Sequence, residues 1–211
     1  MKGYPGKFIS FEGTDGSGKT SVIKEVERYL KVAGYDAETT REPGGVSISE
    51  QVRNVIHDVQ NTEMDPVCEA FLYAASRRQH LVQKVIPLLK QGKIVLCDRY
   101  VDSSLAYQGY ARGIGIEKVK AINEYAIDGM YPDLTLFIDV APEVGIERIV
   151  ENKQTHEFNR LDRESIDFHR RTHEGYVLLT QMYPNRIKDV NGERPIKEVA
   201  MDCYKLIKGI L

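Results

Sequence analysis

The chain has 211 residues and a formal net charge of −2. Its length suits one domain with a sizeable core, and its near-neutral charge gives no electrostatic reason to expect nucleic acid or an anionic membrane as a partner. Its three widely spaced cysteines argue against a disulfide framework and a zinc site, and no apolar run approaches the ~18 residues of a membrane span, so we expect a cytoplasmic protein.

Strand-like and helical segments alternate along the chain. Apolar runs predict strands at 7–12, 37–41, 93–98, 133–140 and 187–190. Apolar spacing predicts helices at 19–32, 47–57, 66–91, 116–127, 142–152, 163–182 and 196–210. This alternation is typical of an α/β fold with a parallel sheet between two layers of helices. Ligands bind such sheets beyond the carboxyl ends of the strands, so we expect the chemistry there.

The first strand is followed by a glycine-rich loop that fits G-x-x-x-x-G-K-[ST]: Gly13, Thr14, Asp15, Gly16, Ser17, Gly18, Lys19 and Thr20. Backbone N–H groups of such a loop surround phosphate oxygens. Lys19 can reach the β- and γ-phosphates, and the Thr20 hydroxyl can bind Mg²⁺. The loop lies between a strand and a helix, which directs the helix N-terminus at the anion. These residues predict a P-loop NTPase.

Charged residues also follow the second and third predicted strands. The run Arg41-Glu42 follows the second strand, and Asp98-Arg99 follows the third. Asp98 lies where a carboxylate holds Mg²⁺ in phosphate-loop enzymes, and the Arg99 guanidinium suits a bidentate phosphate contact. A second phosphate next to the first indicates a phosphoryl acceptor, and therefore a kinase. For each pair taken alone, the alternative is a solvated surface ion pair.

Two i,i+4 pairs are suited to a planar base. Tyr73 and Arg77 share one helix face, where the ring can stack and the guanidinium can donate to an exocyclic oxygen. Ser104 and Gln108 have the same spacing, and both can hydrogen-bond a base edge. Phe71, the other candidate for stacking, lies about 200° from Tyr73 around the helix and is assigned to the core by its spacing. The alternative is an exposed tyrosine with a solvated arginine.

The segment at 151–163 interrupts the helical pattern and is polar and cationic. It could close over phosphates as a lid. The variable positions of the phosphate loop contain no arginine, so a cation that stabilises the transition state has to come from elsewhere. The alternative is an exposed turn.

These motifs together resemble the bacterial thymidylate kinases. The resemblance extends over nearly the whole chain and rests on residues 11–20, 40–45, 74–80, 98–100, 103–109, 131–134 and 160–162. It implies a single domain over residues 1–211, with a five-stranded parallel sheet, surrounding helices and a lid at about 151–163. It also implies transfer of the γ-phosphoryl group from ATP to dTMP with Mg²⁺, and a homodimer.

The resemblance implies two nucleotide sites. All eight residues of the phosphate loop and Arg148 would bind ATP, and Thr20 and Asp98 would hold the metal. The dTMP site would comprise Asp15, Glu42, Arg53, Tyr73, Arg77, Arg99, Ser103, Ser104, Tyr107 and Gln108. Within it, Asp15 would orient the sugar 3′-hydroxyl and the acceptor phosphate, which Arg99 and Arg53 would hold. Tyr107 would pack beneath the sugar and exclude a ribose, while thymine would be read by Arg77, Ser104 and Gln108.

The chain departs from the family pattern at two positions. Tyr73 stands where the family has a phenylalanine that stacks on thymine. Gly16 stands where one subclass has an arginine, so the catalytic cation would come from the lid, with Arg160 as the first choice and Lys153 as the second. Asp15, Lys19 and Arg99 complete the expected catalytic set.

Two alternatives stay open from the sequence. One is another P-loop nucleotide kinase, acting on dUMP or a different deoxynucleotide. The other is a nucleotide-binding switch protein, although the sequence has no N-K-x-D guanine motif. The methyl group of thymine adds only about 1 kcal/mol if it is well packed, so some dUMP activity is expected.

Overall fold

Five parallel strands form one sheet at the centre of the molecule. The computed structural model describes residues 3–151, 160 and 164–211. The strand order is β2-β3-β1-β4-β5, and the strands are β1 (Lys7–Glu12), β2 (Ala37–Arg41), β3 (Ile94–Asp98), β4 (Leu134–Asp139) and β5 (Ile187–Asn191). The α/β fold with a five-stranded parallel sheet, predicted from the sequence, is confirmed.

Helices follow each strand in the described part of the chain. They are α1 (Lys19–Val32), α2 (Ser47–His57), α3 (Pro66–His80), α4 (Ile86–Lys90), α5 (Val101–Ser104), α6 (Ile116–Ile127), α7 (Pro142–Glu151), α8 (Ile166–Met182) and α9 (Ile196–Lys208). A π-helical segment, Leu81–Val85, joins α3 to α4, and a second one, Leu105–Ala111, continues α5. No helix in the described ranges is long and apolar enough to cross a bilayer.

Alternate residues of the central strands face opposite helix layers. In β1, Ile9 packs in a cluster with α1 and α9, whereas Phe8 packs in a cluster with α4 and its preceding π-helical segment. In β3, Leu96 packs in the first of these clusters and Val95 packs in the second. Both faces of the sheet are therefore buried, which accounts for the nearly continuous apolar sequence of these strands.

Phe71 departs from the expectation. Helix α3 packs against α2 and α6 and buries Ala70 and Ala74. Phe71 and Val67, which the helical spacing assigned to the same apolar face, are 57% and 41% exposed. The assignment of Phe71 to the core was wrong, because the face of α3 that its neighbours cover carries Ala70 and Ala74 together with Glu69, Arg77 and His80.

The carboxyl ends of β1, β2 and β3 meet at one edge of the sheet. Asp98 lies in register with Phe11 of β1 on one side and with Arg41 of β2 on the other. The phosphate loop, the turn after β2 and Arg99 therefore begin at neighbouring positions, although they lie far apart in the sequence.

Candidate active site

Lys19 lies inside the glycine-rich loop between β1 and α1. Its Nζ donates to the carbonyl oxygens of Gly13 (3.0 Å) and Thr14 (2.8 Å) and to Oγ of Ser17 (3.1 Å). Burial and the neighbouring charge of Arg99 lower the pKa of Lys19 to about 8. The ammonium group is thus held where a phosphate-binding loop presents it to its anion.

The loop also packs closely against α7. Gly16 has a φ of +76°, and a Cβ on it would lie 2.0 Å from the carbonyl oxygen of Gly145. A Cβ on Gly145 would in turn lie 2.5 Å from the carbonyl oxygen of Asp15. Both positions therefore require glycine, because the two backbones are in direct contact.

The two predicted metal ligands contact each other. Thr20 Oγ1 donates to Asp98 Oδ2 at 2.8 Å, which joins the start of α1 to the end of β3. In the described part of the chain, no three His, Cys, Asp or Glu side chains cluster as a metal site of their own. Mg²⁺ typically takes one or two protein oxygens, with substrate phosphates and water completing the shell. The Thr20 and Asp98 oxygens fit that pattern.

Arg99 joins the phosphate loop to the end of β3. Its Nη2 donates to Asp15 Oδ1 at 2.6 Å, and its Nη1 donates to the Gly13 carbonyl at 2.8 Å. Burial alone would raise the pKa of Asp15, but the charges of Arg99 and Lys19 lower it to about 2. Asp15 is therefore an ionised carboxylate at neutral pH, paired with a guanidinium that can also bind a phosphate.

A buried carboxylate, Glu12, supports the backbone around Arg99. Glu12 Oε1 accepts from the Tyr100 N–H at 2.7 Å, and Oε2 accepts from the hydroxyls of Ser103 (2.5 Å) and Tyr176 (3.0 Å). Arg99 has a φ of +68°, which a non-glycine residue rarely adopts. Burial, and then the charge of Asp102, raise the pKa of Glu12 to about 7. These contacts hold the strained turn that presents Arg99.

Arg77 is buried and almost fully hydrogen-bonded. It donates to four oxygen atoms: Glu42 Oε2 (2.8 Å), Ser104 Oγ (3.0 Å), the Tyr100 carbonyl (3.0 Å) and Asn123 Oδ1. The other oxygen of Glu42 contacts His80 Nδ1 at 2.8 Å. A guanidinium has five N–H donors, so one of those of Arg77 remains for a ligand. Glu42 orients Arg77 in this arrangement.

Gln108 lies on the π-helical segment after α5 and contacts Glu69 of α3. Gln108 Nε2 donates to Glu69 Oε1 at 2.8 Å. Glu69 also pairs with Arg112 at 3.3 Å and with Arg160. Arg160 Nε donates to the Ile56 carbonyl at 3.0 Å. Three parts of the chain thus meet at one buried carboxylate beside the predicted base contacts: α3, the segment of Gln108 and Arg112, and Arg160.

One cavity of about 1270 Å³ connects these groups. Every predicted site residue in the described part of the chain lines it except Gly13, Thr14 and Arg160. Arg148 also lines it and donates to the Gly192 carbonyl at 3.3 Å. The phosphate loop, the Arg99 turn and the two predicted base-reading pairs therefore face a common space.

Comparison with known proteins identifies the family of the chain. The family model described as thymidylate kinase matches residues 11–203. The chain belongs to the thymidylate kinase family. It is 55% identical to the thymidylate kinase of Clostridium novyi (strain NT) over 206 residues, covering 98% of each chain. It is 53% identical to that of Geobacillus sp. (strain WCH70) over 194 residues, covering 92% of each.

A solved structure of a thymidylate kinase also matches this chain. The crystal structure of thymidylate kinase from Ehrlichia chaffeensis matches with a TM-score of 0.76 and 33% sequence identity. The match covers 96% of this chain and 98% of the other. Fold and family therefore agree over nearly the full length.

The predicted lid cation is not found beside the phosphate loop in the described residues. The structure places Arg160 on Glu69, at the ends of α2 and α3, and outside the cavity that Lys19 lines. Lys153 and most of the predicted lid lie outside the described residues. The structure therefore does not bring Arg160 to the phosphate loop.

Several residues that line or contact this candidate site had no signal in the sequence. Tyr176 of α8 lies 3.3 Å from Arg99 Nη1, and Asn123 of α6 contacts Arg77. His57, at the end of α2, lines the cavity, and burial with the nearby charge of Arg53 lowers its pKa to about 4. The helices carrying these residues show only amphipathic patterns, so nothing in the sequence marks them as part of the site.

Proposed function

We propose that the chain transfers the γ-phosphoryl group of ATP to dTMP, giving dTDP and ADP. The observation that carries this proposal is the shared cavity, in which the phosphate loop and the Asp15–Arg99 pair lie next to each other. The loop supplies a triphosphate site, and Arg99 supplies a cation for a second phosphate. Family membership supports the choice of dTMP as the acceptor.

On the donor side, the phosphate loop and Lys19 bind the ATP phosphates, and Arg148 lies at the adenine end. We propose Mg²⁺ as the cofactor, held by Thr20 and Asp98 together with the nucleotide. When bound, it neutralises charge on the phosphates. The contact between Thr20 and Asp98 supports this assignment because it places two oxygen ligands next to the loop.

On the acceptor side, Arg99 and Arg53 hold the dTMP phosphate in line with the donor. Phosphoryl transfer depends mainly on positioning and charge neutralisation. A phosphate monoester is largely ionised at neutral pH, so the attacking oxygen requires no general base. Asp15 stays charged throughout and orients Arg99 and the substrate sugar.

At the base end, we propose that Tyr73 stacks on thymine and that Arg77, Ser104 and Gln108 contact its edge. Tyr107 forms the floor beneath the sugar, with its hydroxyl 3.3 Å from Asp15 Oδ2. This contact supports exclusion of a ribose, because it fixes the ring close to the position of the sugar.

We propose that a cation from the lid completes the site during transfer. If Arg160 supplies it, its ion pair with Glu69 has to break first. Lys153 is the other candidate. Measuring kcat for Arg160→Ala and Lys153→Ala separates the two, because loss of a cation used only in the transition state lowers kcat far more than it changes KM.

We also propose that one domain forms the protein, that it is a homodimer and that it is cytoplasmic. All five strands lie in one sheet, which supports the single domain. Phe71 and Tyr125, which are 57% and 94% exposed, border a hollow between α3 and α6, and this apolar face supports a dimer. The three cysteines are unpaired, as in reducing compartments. Sedimentation of the wild type and of Phe71→Glu tests the dimer.

The decisive experiment for the reaction is a coupled assay of ATP consumption with four acceptors, dTMP, dUMP, dCMP and dGMP. We expect dTMP to have the highest kcat/KM and dUMP a lower one. A higher value for another acceptor would indicate a different nucleotide kinase. Nucleotide binding without turnover on any acceptor would indicate a switch protein instead.

A further inference from the structure

Glu69 is a buried carboxylate that nevertheless stays ionised. It is 1% exposed, and its oxygens accept from Gln108, Arg112 and Arg160. Burial by itself would raise the pKa of Glu69, but the charge of Arg112 and the hydrogen bond from Arg160 lower it. Two arginines therefore maintain one negative charge next to Gln108.

An ionised carboxylate can only accept hydrogen bonds. The atom of Gln108 that contacts Glu69 must therefore be its amide nitrogen, which fixes the orientation of an otherwise ambiguous amide. Gln108 lines the cavity, whereas Glu69 does not. Within the described residues no donor contacts Gln108 Oε1. The amide therefore offers a carbonyl oxygen to a ligand, in a fixed order relative to its N–H.

The order of donor and acceptor matters because pyrimidine bases differ at one edge. Thymine and uracil present an N3–H donor next to an exocyclic oxygen, whereas cytosine presents an N3 acceptor next to an exocyclic amine. A glutamine amide is complementary to the first pattern in one orientation and to the second after a flip of 180°. An amide that is free to flip could serve both kinds of base.

We propose that Glu69 is a positioning residue for base selection: it locks the Gln108 amide in the orientation that accepts an N–H from the pyrimidine and so disfavours cytosine. This inference rests on the proposed function, since it takes the cavity next to Gln108 as the base site. It concerns Glu69, which does not line the cavity and acts only through Gln108.

The test is Glu69→Gln, which keeps the shape of the side chain but makes it both a donor and an acceptor. We measure kcat/KM for dTMP, dUMP and dCMP in wild type and variant. We expect the preference for dTMP over dCMP to fall by about tenfold, which is the effect of one misdirected hydrogen bond. We expect the ratio of dTMP to dUMP to stay within about twofold, because both bases carry the N3–H.

Two further variants separate orientation from general damage. Arg112→Lys keeps a positive charge beside Glu69 and does not touch the Gln108 bond, and we expect it to leave the dTMP/dCMP ratio unchanged. In a Gln108→Met background, Glu69→Gln should have no further effect on that ratio. If Glu69→Gln does not fold, Glu69→Asp is used. The shorter side chain also loses the direct bond to Gln108, so we expect the same fall in the dTMP/dCMP preference.

The outcomes are distinguishable. A wild type that does not phosphorylate dTMP overturns the proposed function. A wild type that is active on dTMP, with a dTMP/dCMP ratio unchanged by the Glu69 substitution, overturns this inference and leaves the function intact. An equal effect of Glu69→Gln in the Gln108→Met background also overturns it, because Glu69 would then act by another route.

Discussion

The guanidinium of Arg99 and the carboxylate of Asp15 are 2.6 Å apart, although they are separated by more than 80 positions in the chain. Arg99 follows the strand β3, and Asp15 is part of the loop after β1. The contact links the group that we assign to the acceptor phosphate directly to the loop that we assign to the donor. The cation assigned to the acceptor and the loop assigned to the donor are therefore in direct contact.

Arg99→Ala is expected to weaken the acceptor half of the site. Loss of charge-assisted hydrogen bonds to a phosphate costs about 2 kcal/mol, or about 30-fold in kcat/KM for dTMP. KM for ATP should change little. Steady-state kinetics with each substrate varied in turn measures both effects, with Arg28→Ala on the exposed face of α1 as the control. Unchanged dTMP kinetics would rule out the role given to Arg99.

Glu12→Gln is expected to change how stability depends on pH. The pKa of Glu12 rises from 4.5 to about 7 on folding, so the folded protein binds this proton more tightly than the unfolded chain does. Its contribution to stability is therefore present below pH 4.5 and is lost as pH rises towards 7. Glutamine does not ionise, so the stability of Glu12→Gln lacks this decrease between pH 4.5 and pH 7.

Urea unfolding near pH 5 and near pH 8 measures the effect. Between these values the wild type should lose about 2 kcal/mol more unfolding free energy than Glu12→Gln. Parallel pH profiles for the two proteins would mean that Glu12 is ionised in both the folded and the unfolded state.

Asp98→Asn is expected to weaken the response to Mg²⁺. The amide can still accept from the Thr20 hydroxyl through its oxygen, but it lacks the charge that favours a hard cation. The Mg²⁺ concentration for half-maximal turnover should rise about tenfold or more, with little change in KM for dTMP. Titration of Mg²⁺ into the chelator-treated enzyme tests this, and Asp36→Asn, which alters an exposed aspartate, is the control. Identical titrations for Asp98→Asn and wild type would exclude Asp98 from the metal site.

Gly16→Ala is expected to destabilise the protein more than an ordinary glycine substitution at positive φ. Gly34 has a similar φ of +85°, but no atom lies within 4 Å of the position of its Cβ. Gly34→Ala should therefore cost only about 1 kcal/mol of backbone strain. Gly16→Ala adds a clash with Gly145 and should cost at least about 3 kcal/mol. Thermal and urea unfolding compare the two, and equal losses would show that α7 moves aside at little cost.

The sequence predicted that many of the candidate site residues lie close together, because they follow the strands of a parallel sheet. The phosphate loop, Asp98 and Arg99 all start at the same edge, so their proximity follows from topology. The sequence could not predict Glu69 as the partner of Gln108. That contact joins α3 to the segment after α5, and it depends on how two helices pack rather than on any spacing within one of them.

Phe71 was misassigned for a related physical reason. Helical periodicity states which residues share a face, but not which of two adjacent stripes a neighbouring helix covers. On α3, the small residues Ala70 and Ala74 allow close packing, and Phe71 is left at the surface. Arg160 was expected as the lid cation from the cationic composition of its segment and from the family resemblance, and its contact with Glu69 could be found only in three dimensions.

The contact between Gly16 and Gly145 restricts how this chain could change over time. An arginine at position 16 would need room that the α7 backbone occupies, at a φ that disfavours any side chain. An arginine can therefore not be introduced at position 16 while α7 stays where it is. A lineage with this arrangement has to supply any further arginine for the site from a position other than 16, or rebuild the loop and the helix together.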